Sequence, residues 1–154
     1  MSSQRVFSLC FLLAVATAGY AQTTKPAFTD EDLKKYAITM DSVKGMQESL
    51  NKSIADMVQQ TTVVEVPRYN ELFKIINDST KLVAANAKPE EVAFVKEVAK
   101  KRADETAKIT ATYQSLAKDY VGLKAFNAIK KSLATDTAVK EKYDALTKEL
   151  EAKG

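Results

Sequence analysis

Three consecutive carboxylates, Asp30, Glu31 and Asp32, and a second pair, Glu90 and Glu91, are the densest clusters of reactive side chains in the chain. Paired carboxylates can serve glycoside hydrolysis as acid and base, but that chemistry needs two groups converging on a cleft. Consecutive carboxylates at a helix start instead complement the positive end of its dipole. They also lack the alternating spacing of a calcium loop. The chain has no histidine and no tryptophan, and its one cysteine is Cys10. That composition removes the usual acid-base side chain near neutral pH, Ser-His-Asp and Cys-His catalysis, and His or Cys zinc sites. Gly45, Gly122 and Gly154 are isolated, so no glycine-rich phosphate loop is available. No cofactor and no metal are expected.

The other candidates are basic and amide side chains. Lys100, Lys101 and Arg102 form a basic run, which suits either a weak patch for an anionic partner or the solvated face of a lysine-rich helix. Over the chain, 23 Lys plus Arg stand against 20 Asp plus Glu. This near-balance argues against nucleic acid as a partner, which demands a marked basic excess on one face. Asn70 and Asn127 occur in matching contexts, Tyr69-Asn70-Glu71-Leu72 and Phe126-Asn127-Ala128-Ile129. An asparagine one turn into a short helix can hydrogen-bond the backbone before it, so a structural role is expected for both.

The elements that position these residues are helices. Thr29 suits an N-cap, and Leu33, Tyr36, Met40, Val43, Leu50, Ile54 and Met57 recur at three- and four-residue steps, with Gln47 the one skip. This first helix is expected to reach about Gln60. Residues 61–66 are β-branched and read as an extended connection before Pro67 opens a second helix. Its stripe is Tyr69, Leu72, Phe73, Ile76, Thr80 and Val83, ending near Ala87 ahead of Pro89. The third helix carries Val92, Val95, Ala99, Arg102, Thr106, Ile109, Tyr113, Leu116 and Tyr120, until Gly122 breaks it. A fourth, from Leu123 to Leu133, presents Phe126, Ile129 and Leu133. A fifth, capped by Thr135 or Asp136, presents Val139, Tyr143, Leu146 and Leu150. The tyrosines at 36, 69, 113, 120 and 143 all fall on apolar stripes and are expected in the core.

The acidic openings and the aromatic-Asn-x-aliphatic motifs repeat together. Thr29 to Lys88 is an offset of 59 residues and Asn70 to Asn127 one of 57, so two halves align with a two-residue difference in the connection. The expected fold is all-α: an antiparallel four-helix bundle built from two related helical hairpins, plus a short C-terminal helix. Gln47, Arg102 and Thr106 interrupt the stripes. They form either a polar layer across the bundle or an edge where Arg102 buries only its aliphatic stem.

Residues 1–21 read as a secretory signal peptide. A polar segment ending in Arg5 precedes an apolar run, residues 6–18, and Gly19 and Ala21 then suit cleavage between Ala21 and Gln22. The run is shorter than the roughly 20 residues a transmembrane helix needs. Residues 22–28, with Pro26, are expected to be a flexible mature N-terminus, and residues 29–153 a single helical domain. Loss of the leader takes Cys10 with it, which leaves apolar burial to hold the fold without disulfides.

With Asp30-Glu31-Asp32-Leu33-Lys34-Lys35-Tyr36-Ala37, Arg68-Tyr69-Asn70-Glu71-Leu72 and Gly122-Leu123-Lys124-Ala125-Phe126-Asn127-Ala128-Ile129, the chain resembles the exported bacterial proteins grouped as domain of unknown function 4168. The likeness covers nearly all of residues 28–152. It implies an export signal followed by a short helical domain with a Gly-Leu-x-x-[Phe/Tyr]-Asn-x-Ile element near its end. The first hairpin departs from that pattern, with Val66-Pro67 in place of Gly-Leu. The family has no assigned activity, so the resemblance transfers no functional residue. The expected role is that of an exported, non-enzymatic helical bundle of the periplasm or cell exterior, working through an unidentified protein or envelope partner. No transmembrane span is expected in the mature chain. The alternatives are a self-assembling component, a homo-oligomer joined through its heptad seams, and a carboxylate-based hydrolase.

Overall fold

A computed structural model describes residues 27–152. The expected leader, its cleavage pair Ala21 and Gln22, and residues 22–26 and 153 lie outside the described residues. These form six α-helices and one π-helical segment with no strand: α1 (Asp30–Gln60), α2 (Val66–Ile75), α3 (Ser79–Ala84), α4 (Pro89–Ser115), the π segment (Leu116–Gly122), α5 (Leu123–Thr135) and α6 (Thr137–Glu151). Among the described residues no helix is long and apolar enough to cross a membrane.

Helix starts follow local chemistry. Thr29 Oγ1 accepts from the Asp32 N–H at 3.1 Å while the Asp32 carboxylate accepts from the Thr29 N–H at 2.8 Å, a reciprocal cap. At the equivalent place in the second half, Glu91 accepts from the Lys88 N–H at 2.9 Å. Lysine has no acceptor to return, so that box is half complete. Asp136 caps α6 through the N–H groups of Ala138 and Val139.

The two long helices run antiparallel, and the shorter ones gather at opposite ends. One core joins Ile54 and Val58 near the end of α1 to Val64, to Tyr69 and Leu72 of α2, and to Val95 and Val98 near the start of α4. The other joins Leu33 and Tyr36 near the start of α1 to Ala117 and Val121 of the π segment and Phe126 and Ile129 of α5, with α6 packed over it. Helices α2 and α5 do not touch. Among the described residues, α1 and α4 line the waist between the cores. Aligning the halves by the sequence offsets of 57 and 59 matches like burial with like: Tyr69 with Phe126, Leu72 with Ile129, Val64 with Val121, and Thr39 with Val98. The fold is thus an all-α antiparallel bundle of two related halves.

Several expectations are corrected. The second helix is interrupted after Ile75, because the Asp78 side chain accepts from the Lys81 N–H and starts α3 afresh. Thr80 and Val83 are consequently exposed, Val83 at 77%. The interruption extends the repeat, since α3 follows α2 from an aspartate cap as α6 follows α5 from Asp136. At the end of the third helix, the wider π winding shifts the buried face by one residue. Ala117 and Val121 are buried where Leu116 and Tyr120 were expected, and Tyr120 stands 41% exposed with Lys35 Nζ 5.9 Å from its ring centroid. Phe28, placed in a flexible N-terminus by composition, is buried in the core beside α1.

Candidate functional site

The motif residues divide by chemistry. Tyr69, Leu72, Phe126 and Ile129 are all buried. Tyr36 stacks obliquely on Phe126 at 4.8 Å between centroids, and Tyr69 stacks on Phe73 at 5.7 Å. The repeated motif is therefore a packing device in both halves. Asn70 and Asn127 are exposed, and neither side chain hydrogen-bonds among the described residues, so the expected backbone anchor is absent. The burial of the motif's aromatic and aliphatic members already sets how the short helix leaves the long one.

The acidic clusters do not converge. Asp30 pairs with Lys142, Glu31 with Lys35, and Asp32 closes the α1 cap. The Thr29 N–H, the Thr29 hydroxyl and, more weakly, Lys35 hold the Asp32 carboxyl below its ordinary pKa. Glu91 is buried beneath Arg68. Arg68 reaches Glu91 Oε2 at 3.4 Å, Glu71 at 2.8 Å and the Ala85 carbonyl at 2.8 Å, tying α2, α4 and the end of α3 together. The Lys88 N–H first, and then Arg68, lower the Glu91 pKa against the opposing effect of burial. Burial raises the phenols of Tyr36, Tyr69 and Tyr143, which keeps them protonated. Among the described residues no three Cys, Asp or Glu gather as metal ligands.

The basic run 100–102 is not one patch. Lys100 pairs with Asp104, and Lys101 lines a groove of about 550 Å³ with Gly45, Met46, Ser49 and Glu105. Arg102 lies in a separate groove of about 270 Å³ with Gln47, Asn51, Thr106 and Thr110. Leu50 and Ile109 line both grooves and mark the seam between the long helices. Gln47, Arg102 and Thr106, the residues that interrupt the stripes, thus come together at the waist. Arg102 is half-buried, its Cζ 6.0 Å from the Phe73 centroid.

Two exposed apolar corners complete the surface. Val63 and Val66 are 42% and 43% exposed, and their counterparts at the offset of 57, Tyr120 and Leu123, are 41% and 53% exposed. Each pair flanks the connection between a long helix and the short helix after it. Periodicity within helices could not reveal these corners, because they lie at connections. The repeat offset carried through the connection would have done so. Comparisons with protein-family models, curated proteins and solved structures give no match.

Proposed function

We propose that the protein is an exported helical bundle that works by contact with other proteins or the cell envelope and without catalysis. The observation that carries this reading is the matched pair of exposed apolar corners. Large apolar side chains exposed at equivalent places in both halves are a costly surface to present to water unless something covers them. The leader-like segment at residues 1–21 and the likeness to the exported domain of unknown function 4168 support the export half of the reading. Cleavage would leave Gln22 as the first residue, which mass spectrometry of the secreted product reads directly.

A protein that covers apolar segments of unfolded clients should suppress aggregation of a model substrate at near-stoichiometric ratio. The double substitution Val66→Lys with Leu123→Lys should abolish that effect while leaving the helical spectrum intact. A folded, monomeric sample with no suppression at any ratio removes client binding. Self-assembly is the second reading, and charge favours it. Among the described residues Glu65, the lone charge between Val63 and Val66, makes no ion pair, whereas Lys118, Asp119 and Lys124 around Tyr120 and Leu123 leave a net positive charge, neither lysine being paired. A head-to-tail contact would pair these opposite charges. Light scattering should then show mass rising with concentration and falling with salt, and a constant monomer mass rejects assembly.

A further inference from the structure

Among the described residues, α5 is the one α-helix of ten or more residues whose charges share a sign. It carries Lys124, Lys130 and Lys131 and no acidic side chain, whereas α1, α2, α4 and α6 each carry both signs. All three lysines are exposed, and among the described residues none makes an ion pair. Leu123, Asn127 and Lys130 lie on one strip of the helix, and Lys124 and Lys131 on the strip beside it, turned away from the buried Phe126 and Ile129. Leu123 opens this face at 53% exposure, and Tyr120, 41% exposed, comes just before it. The repeated packing motif does not require the lysines. At the offset of 57 the other half places Pro67, Phe73 and Lys74, and beside them Arg68 and Glu71 are paired.

We propose that the exposed face of α5 docks on a bilayer surface rich in anionic phospholipid. The inference rests on the reading that the apolar corners are contact surfaces, and it names what the α5 corner meets. Lysines beside exposed apolar side chains suit the headgroup boundary, where phosphates meet the ammonium groups and the acyl edge receives Leu123 and the Tyr120 ring. The lysine stems follow the apolar surface while their charges stay among the headgroups. Lys118 and Asp119 in the π segment offset one another, so the net charge of the corner comes from α5. A second copy answers it poorly, because Glu65 at the opposite corner supplies one negative charge against three lysines. The contact lies on the membrane, since among the described residues no helix is long and apolar enough to cross one.

The chain has no tryptophan, so Leu123→Trp places a single fluorophore at this corner and Val66→Trp one at its counterpart. Both positions are exposed, and circular dichroism checks that each variant folds. The full-length proteins are mixed with vesicles of phosphatidylcholine alone or with phosphatidylglycerol added. Emission from Leu123→Trp should shift to the blue only with phosphatidylglycerol, saturate with lipid and revert in high salt, while Val66→Trp should not shift. Reading each corner separately keeps vesicle binding through residues 1–21 from being mistaken for this contact. Adding Lys130→Gln and Lys131→Gln should weaken the response about tenfold or more. No shift with phosphatidylglycerol overturns the proposal, as do equal shifts at both corners, an equal shift on phosphatidylcholine alone, or a response unchanged by the lysine substitutions. Poly-glutamate producing the shift at a lower charge concentration than the vesicles assigns the face to an acidic polypeptide and likewise overturns it. Absence of the lipid response with suppression of client aggregation intact rejects this inference alone, and absence of both rejects the contact reading beneath it.

Discussion

At one end of the molecule the chain leaves its long helix through residues 61–65, which are not helical. At the other it stays helical, widens into the π segment, and turns at Gly122 with φ +88°. Burial on either side is matched: Val58 with Ala117 before the connection, Val64 with Val121 within it, and Tyr69 with Phe126 after it. Six steps separate Val58 from Val64 and four separate Ala117 from Val121, so the whole length difference between the halves lies in that interval. Four steps can be taken up by a loosened helical turn. Six cannot, and the β-branched run Thr61-Thr62-Val63-Val64 favours an extended path. The buried anchors decide the architecture, and the path between them adapts to its length.

The strongest way to test the equivalence is at Leu72 and Ile129, both fully buried. Leu72→Ala and Ile129→Ala should each cost about 2–5 kcal/mol in urea denaturation. Because α1 and α4 line the waist between the cores, Leu72→Ala should speed amide exchange in α2 and α3 and leave α5 and α6 unchanged. Acceleration spread evenly over both ends would show that the waist couples them tightly.

The connections should respond unequally to the same change. Gly122 holds a backbone conformation that L-residues rarely adopt, although an added Cβ would meet nothing within 4 Å. Gly122→Ala should therefore cost about 1–3 kcal/mol through the backbone alone. Its counterpart Glu65 has φ −75° and ψ 155°, so Glu65→Ala should stay within about 0.5 kcal/mol. Equal melting shifts for the two would mean that the connections differ less than their dihedral angles indicate.

A smaller effect is expected at Thr39 and Val98, fully buried counterparts of nearly the same shape. Among the described residues the buried Thr39 hydroxyl has no hydrogen-bond partner. Thr39→Val should stabilise by about 1 kcal/mol and Val98→Thr destabilise by a similar amount, as read from denaturation midpoints. A loss of stability in Thr39→Val would show that the hydroxyl contributes to the fold.

The last contrast is one of pH. Asp32 and Glu91 occupy equivalent positions, and each carboxyl is held below its ordinary range, first by the N–H of Thr29 and of Lys88 respectively. Carboxyls depressed in the folded state contribute stability that is present above their unfolded pKa and lost as pH falls through the folded one. The melting temperature should accordingly fall as pH drops below about 4. Glu91→Gln should flatten that fall more than Asp32→Asn, since Glu91 is buried with Arg68 and Asp32 lies in a solvent-screened cap. The reverse order would place the acid-sensitive contact at the α1 cap.

Helix periodicity made the all-α class, the bounds of α1 and the start of α4 legible and narrowed the last cap to Thr135 or Asp136, because each depends on residues within a turn of one another. The repeat was legible for the same reason, since Tyr69 and Phe126 announce it by type. The π winding was not, because a one-residue phase change is visible only in which side chains are buried, Val121 instead of Tyr120. Nor was the interruption at Asp78, where a single cap overrode the weaker stripe of Ile76, Thr80 and Val83. Of the waist groove, Gln47, Arg102 and Thr106 stood out as interruptions. Asn51 did not, because its contribution arises from the crossing of separate helices.

The waist has a further meaning. Leu50 and Ile109 are equivalent by the offset of 59, and both line the two grooves on either side of the seam between the long helices. That is the contact pattern of an isologous dimer, in which each partner offers the other the same patch. A free pair of chains needs about 1,200–2,000 Å² of buried surface to associate stably. Here the halves are tethered by the few residues before Pro89, which sets their effective concentration on the order of millimolar. A covalently joined pair can meet across a slender seam, leaving grooves open on both sides of it.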